Sequence, residues 1–295
     1  MRAPTRSTSP VTTIKAIAPA KVNLTLHVTG QRDDGYHLLD SLVVFADVAD
    51  QLGATLAPNL QLTVSGPFSA DIPTDESNLM MRAAQTLQKA RGVKQGAVLT
   101  LEKHLPHAAG IGSGSSDAAV TLAMLAELWG VAPLPATAPE VVALGADVPV
   151  CLQAPNPTRM SGIGETLQTV PRLPGCALVL VRPPVAVPTS AVFQAMTNKH
   201  GSPMTDMPSG MDFDGFAHWL QAQRNDMQAP AMGLAPEIGA AIAKLKSLPA
   251  VRVAGMSGSG ATCFGLVKDM ATARQVARII QVSQMGWWVA PAAIL

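Results

Sequence analysis

An α+β chain of two domains is what this sequence predicts, and three observations predict it. The chain has 295 residues, enough to bury two separate cores. Stretches of strand periodicity alternate with stretches of helical periodicity through both halves. The composition then restarts at Pro155-Asn156-Pro157, a run suited to a linker. The expected units are residues 14–155 and 156–295. Ahead of them, residues 1–13 hold Arg2, Arg6, Pro4, Pro10 and several Ser and Thr with no apolar stretch following, which reads as a disordered tail and not a targeting peptide.

The elements follow in order. Val22, Leu24, Leu26 and Val28 alternate with Lys21, Asn23, Thr25 and His27, a half-buried strand that sets Lys21 and Asn23 on one face. Residues 31–37 are polar around Gly35 and read as a turn. Leu60, Leu62 and Val64 predict another strand. Ser77 is the expected N-cap of a helix that lines up Leu79, Met80, Ala83, Ala84 and Leu87. Val98–Lys103 is a further strand, leading through a small-residue loop into a helix over Asp117–Trp129 that is almost wholly apolar. Residues 130–139 read as a surface connection, and 144–152 as a turn entering a short extended piece. In the second half, Ala177–Val181 is a buried strand and 199–215 is irregular. A helix begins near Pro236. Strand, glycine loop and strand then cover 251–267, and Ala273, Val276, Ala277 and Ile280 mark a last helix.

Composition narrows the function classes. Hydrophobic residues make up 48% and charged residues 14%, which favours a packed core over disorder. The formal net charge is +1 without any long basic run, so a nucleic-acid surface is not expected. Three widely spaced cysteines, Cys151, Cys176 and Cys263, make neither a disulfide framework nor a cysteine-rich zinc site, and they fit a reducing compartment. No uninterrupted apolar run reaches the ~18 residues of a membrane span. A cytoplasmic location, with neither nucleic acid nor membrane as partner, is the expectation.

The strongest chemical signal is Pro106-His107-Ala108-Ala109-Gly110-Ile111-Gly112-Ser113-Gly114-Ser115-Ser116, followed by a helix. Small side chains let backbone wrap an anion, and a helix start aims free N–H groups at it. Ser115 and Ser116 are placed to cap that helix or to lend hydroxyls to a phosphate or metal. Three phosphate-binding classes are excluded by what is missing. No Gly-Lys-Ser/Thr triplet exists, so this is not a Walker A loop. Counting from Gly112, the sixth position is Asp117, which breaks a dinucleotide fingerprint. Neither His-Arg-Asp nor Asp-Phe-Gly occurs, so the protein-kinase set is absent.

Two more stretches accompany the loop: Ala18-Pro19-Ala20-Lys21-Val22-Asn23 and Met256-Ser257-Gly258-Ser259-Gly260-Ala261. Together the three resemble, in order and separation, the motifs of the GHMP kinase superfamily. Thr29–His37, Leu144-Gly145-Ala146-Asp147-Val148-Pro149 and Asn225-Asp226 further resemble one branch of it, which phosphorylates the 2-hydroxyl of a cytidine-diphosphate-linked methylerythritol in the non-mevalonate isoprenoid route. The resemblance covers nearly everything after residue 13. It implies a nucleotide-binding α/β domain packed on a ferredoxin-like domain, with the last residues able to return to the first, and the active site between them. It implies ATP, Mg²⁺ and a small-molecule, cytidine-diphosphate-linked substrate, with the protein a monomer or homodimer. Lys21 and Asp147 match the catalytic positions, residues 106–116 the ATP-phosphate loop, and Asn23, Tyr36 and His37 positions that hold substrate and cytidine. Thr189, Ser257, Gly258 and Gly260 are further substrate-side candidates, and Ser116 is the metal-ligand candidate by motif position.

These residue types suit the chemistry. Phosphoryl transfer is mostly positioning plus charge stabilisation, so it needs backbone donors, a cation and an oriented hydroxyl. Asp147 can accept the proton of the attacking hydroxyl, and Lys21 can stabilise developing negative charge. Tyr36, the chain's single tyrosine, offers a ring for base stacking, and His37 a hydrogen-bonding edge. The resemblance departs from its pattern at Ala108, Ala109 and Ser113, where several members carry glycine. Other superfamily kinases, acting on homoserine, mevalonate or a sugar, and a non-catalytic nucleotide-binding regulator are the competing readings.

Overall fold

The computed structural model describes residues 13–295. The expected tail therefore lies outside the described residues except for Thr13, which opens the first strand. That strand, β1 (Thr13–Asn23), is followed by β2 (His27–Gln31), β3 (His37–Ala57) and β4 (Gln61–Ser65). Helix α1 (Leu79–Arg91) and strand β5 (Gly96–Glu102) come next, then helices α2 (Ser113–Leu128), α3 (Pro139–Val142) and α4 (Val148–Cys151). Strands β6 (Thr158–Gly162) and β7 (Thr166–Thr169) complete a seven-stranded sheet.

The sheet is organised on β3, which is 21 residues long. β1 and β2 lie in succession along one edge of β3, and β5 and β6 along the other, all antiparallel to it; β4 pairs parallel with β5. The first sheet thus holds the chain to Thr169, and the proline run expected as a linker falls inside it. The single strand expected over Lys21–Val28 is broken at Leu24–Leu26. There the Thr25 hydroxyl accepts from Leu42 N at 2.8 Å, in place of a regular ladder bond.

The second half contains β8 (Ala177–Arg182), α5 (Thr189–Ala195), α6 (Phe213–Gln221), α7 (Gln228–Leu234) and α8 (Pro236–Lys246). After these come β9 (Val253–Met256), β10 (Cys263–Val267), α9 (Met270–Ser283) and β11 (Trp288–Ala293). Its antiparallel sheet runs β11-β8-β10-β9, the strand order of a ferredoxin-like split βαβ unit. The chain's end then returns to β3: Leu295 N donates to Phe45 O at 2.9 Å and Ala293 N to Asp47 Oδ1 at 2.8 Å.

Period-two alternation explains how the halves meet. Ala20 and Val22 of β1 and Leu24 just after it, with Leu42 and Val44 of β3, pack against Leu178, Leu180, Phe264 and Leu266 of the second sheet, making a shared core. Lys21 and Asn23, one residue out of phase, point the other way. The opposite face carries α1 and α2 over a core that includes Phe45, Leu87, Leu99 and Leu125. Among the described residues, no helix is long and apolar enough to cross a membrane.

Three local expectations are corrected. Asn78, not Ser77, caps α1: its side chain accepts from Met80 N at 2.8 Å, while Ser77's hydroxyl is taken by Asp75 at 2.6 Å. Helix α2 begins at Ser113 and not at Asp117, because Gly112 turns the chain with φ 58°. No side chain caps it, so Ser115 and Ser116 are helical residues and not caps. The piece after Asp147 is a helical turn and not an extended one, with Pro149 supplying a helical φ near its start.

Candidate active site

Three chain segments far apart in sequence converge at the end of β1. Lys21 Nζ lies 2.8 Å from Asp147 Oδ2 and donates to Asn23 Oδ1 at 2.9 Å. Asp147 occupies the N-cap position of α4 yet caps nothing, which leaves its carboxylate for the lysine. Its place is set by packing, since Val148, Pro149, Val150 and Cys151 are all buried beneath it. The lysine's stem passes over Gly112, where a Cβ would lie 2.7 Å from Lys21 Cε. Gly112 is therefore required twice, for its left-handed φ and for this close approach.

The glycine loop reaches the same point. Lys21 N donates to Ile111 O at 2.9 Å, tying the loop to β1. Among the described residues, no backbone N–H from Ala108 to Ser115 donates to a partner in the chain. Those of Ser113, Gly114 and Ser115 are the unsatisfied first turn of a 16-residue helix, where backbone donors and the helix dipole together favour an anion.

The third motif supports the loop from behind. Ser257 Oγ donates to Gly110 O at 2.8 Å and accepts from Asn23 N at 3.0 Å; Thr262 N donates to Ala109 O at 3.0 Å. A Cβ on Gly110 would overlap the carbonyl of Ser257. Asn225 fixes this segment in turn, donating to Met256 O at 2.7 Å and Gly258 O at 2.9 Å.

A cavity of about 470 Å³ opens over this assembly. Lys21, Asn23, Asp147, Ala108, Ala109, Gly110, Gly112, Ser113, Gly114 and Ser115 line it, and Thr189, Ser259 and Gly260 close it from the second half. Thr189 and Ser259 meet through their hydroxyls at 2.7 Å. Pro106, His107, Ile111 and Ser116 do not reach this surface. Ile111 is a core residue instead, and Ser116's hydroxyl is buried without a partner. Ser257 and Gly258 serve as backing for the loop and are not on the cavity wall.

A second hollow of about 430 Å³ adjoins the first, sharing Leu39, Ala146 and Phe193 with it. Here Tyr36 stands 59% exposed, and the His37 ring stacks on Phe193 with centroids 4.0 Å apart. Burial, and then the Lys199 charge, lower the His37 pKa, so its imidazole is neutral near pH 7. Its Nε2 is buried and unpartnered. Phe193 was not foreseen from sequence; the usable signal was an aromatic in the short run after Pro188-Thr189. Ser41, behind Asn23, was also missed.

The oxygen donors bear on a metal. Among the described residues no cluster of three His, Cys, Asp or Glu side chains exists. Mg²⁺ needs no such cluster, since it takes few protein oxygens and keeps several waters. The orphan Ser116 hydroxyl and the Asp147 carboxylate are donors of the right kind.

Residues 78–156 match the family described as GHMP kinases N terminal domain, and residues 210–283 the one described as GHMP kinases C terminal. A 4-diphosphocytidyl-2-C-methyl-D-erythritol kinase of Cereibacter sphaeroides is 52% identical over 280 residues, which is 94% of this chain and 98% of that relative. This chain belongs to that kinase family. A family member from Ruegeria pomeroyi is 48% identical over 285 residues, covering 96% of this chain and 99% of its own. A crystal structure of 4-(cytidine 5'-diphospho)-2C-methyl-D-erythritol kinase matches with TM-score 0.76 at 32% identity, over 95% of this chain and 99% of that one. A homoserine kinase from Cytophaga hutchinsonii shares the fold alone, with TM-score 0.67 at 15% identity over 99% of this chain and 98% of that one.

Proposed function

We propose that this chain transfers the γ-phosphoryl group of ATP to the 2-hydroxyl of 4-diphosphocytidyl-2-C-methyl-D-erythritol, in the non-mevalonate route to isoprenoids. One observation carries the reading. The Lys21–Asp147 pair stands on the wall of a cavity that has an N–H-rich helix start on one side and an aromatic hollow on the other. Each part then has one task. The loop over 106–116 holds the ATP phosphates through its free N–H groups. Asp147 accepts the proton of the attacking hydroxyl at its carboxylate, and the Lys21 ammonium stabilises negative charge growing on the transferred group. Tyr36, His37 and Phe193, which line the second hollow, hold the cytosine by their ring faces.

Mg²⁺ would supply charge neutralisation on the ATP phosphates when bound; of the two candidate oxygen donors, the Asp147 carboxylate stands on the cavity wall and would hold it, while the Ser116 hydroxyl is buried behind that wall. The three cysteines are free, in keeping with cytoplasmic work. The aromatic hollow separates this reading from kinases of homoserine or mevalonate, whose substrates have no base to stack. The test is ATP consumption by the purified chain with the cytidyl substrate and with homoserine. Turnover is expected on the first and not on the second; turnover on homoserine alone would overturn the substrate assignment.

A further inference from the structure

We infer that Ser41 is a positioning residue for phosphoryl transfer, acting through Asn23 on the direction of the Lys21 ammonium. The inference rests on the catalytic reading of Lys21 and Asp147 above and extends it to a side chain that touches neither substrate nor nucleotide.

The argument starts with the lysine's three N–H bonds. One points to Asp147 Oδ2 at 2.8 Å and one to Asn23 Oδ1 at 2.9 Å. Because the ammonium is tetrahedral, fixing two donors fixes the third, which is left for the transferred group. The aim of that third donor depends on which end of the Asn23 amide faces the lysine. Both orientations have the same shape, so something else must choose between them.

Ser41 makes the choice. Its hydroxyl donates to Thr25 O at 2.5 Å, so its proton is committed and its oxygen faces Asn23 as an acceptor. Asn23 Nδ2 meets that oxygen at 2.8 Å. Turning the amide over would set its carbonyl against the Ser41 oxygen and its NH₂ against the ammonium, two unfavourable contacts in one move. Water cannot relieve them, because Ser41, Thr25 and Asn23 are at most 1% exposed.

The Thr25 carbonyl is available because β1 and β2 are interrupted there. Leu42 N bonds the Thr25 hydroxyl at 2.8 Å and not its carbonyl, which is left for Ser41. The break between the two strands, irregular as a fold feature, thus anchors a directional chain. It runs from Thr25 O through Ser41 and Asn23 to Lys21 and ends at Asp147.

The experiment is a cycle of variants with kcat and KM measured separately. Ser41→Ala is expected to lower kcat roughly 10-fold, since small misplacement of a reacting group is costly. KM for ATP should change less than ~2-fold, because the loop N–H groups are untouched. Ser41→Thr, which keeps the hydroxyl, should recover most of the loss, and its near-isostere Ser41→Val should not. If Ser41→Ala does not fold, the Thr and Val pair reads the same question. In a Lys21→Ala background, Ser41→Ala should lower kcat no further. Wild-type kcat in Ser41→Ala, Val equal to Thr, or an undiminished second loss in the Lys21→Ala background would each overturn the proposal. Near-normal turnover in Lys21→Ala alone would instead remove the catalytic reading beneath it.

Discussion

Lys21 and Lys103 each hold an ammonium against aspartate at hydrogen-bonding distance, but their surroundings differ. Lys21 meets one carboxylate, Asp147, whose side chain is 34% exposed on a cavity wall. Lys103 meets two, Asp50 and Asp117, each at 2.6 Å, and all three side chains are at most 4% exposed. Asp50 also accepts from His104 N at 2.6 Å and Leu105 N at 2.8 Å. The sealed cluster therefore joins β3 to the residues that enter the phosphate loop and to the helix that leaves it. Since the loop's own N–H groups are kept free for a ligand, its shape has to be imposed at its ends. In the proposed function the open pair acts on the substrate, and the sealed one holds the loop beside it.

The sharpest way to break this division is to remove one member from each site. Lys103→Met leaves two buried carboxylates without their cation, and loss of about 3–5 kcal/mol of folding stability is expected. Denaturant unfolding measures it; a loss under ~1 kcal/mol would mean the cluster does not anchor the stems. Asp147→Asn should do the reverse. Turnover should fall by at least ~10²-fold with ATP affinity little changed, while the unfolding midpoint stays close to wild type. Normal turnover in that variant would take Asp147 out of the chemistry.

Proton binding sharpens the contrast. Burial, with the Asp50 charge adding to it, outweighs Lys103 and pushes the Asp117 pKa up to about 7. One ammonium cannot neutralise two sealed carboxylates, and Asp117 Oδ1 is buried with no partner, where a proton can reside. An unfolded carboxyl releases its proton near ~4, so between those values the native state binds more protons than the unfolded state. The Asp117 contribution is complete below about pH 4 and is lost as pH rises through about 7. The thermal midpoint should therefore fall by roughly several degrees from about pH 5 to 8, and Asp117→Asn should flatten that slope. An identical slope in the variant would place the titration elsewhere.

The two sites were not equally legible in the sequence. Lys21, Asp147 and the loop stood out because motif residues keep their type and order whatever the tertiary structure does. Lys103 and Asp117 lay at the edges of that loop and entered only as the end of a strand and the start of a helix, since nothing local reveals that Asp50 will arrive from the middle of a 21-residue strand. Phe193 and Ser41 were hidden for the same reason, as their meaning comes from partners more than a dozen residues away. Strand and helix positions were mostly recoverable from periodicity. The start of α2 was not, because Ser113, Gly114 and Ser115 have loop-like composition and become helical only through the turn at Gly112.

The smallest expected effect probes the loop between the two sites. Ala108 sits in it at φ 48°, a left-handed conformation that costs a side-chain-bearing residue about 1–2 kcal/mol. Ala108→Gly relieves that cost, but glycine gives back about 0.4–1 kcal/mol through a freer unfolded chain. The net should be a stabilisation of about 0–1.6 kcal/mol, read as a thermal midpoint raised by up to ~5 °C. If the stems set the loop's shape, as the sealed cluster suggests, kcat in this variant should stay within ~2-fold of wild type and only KM for ATP should drift upward. A tenfold loss in kcat would mean that stiffness at Ala108 itself helps aim the loop's N–H groups. Positioning would then belong to the loop as well as to its anchors, and the separation between a holding site and an acting site would fail at this residue.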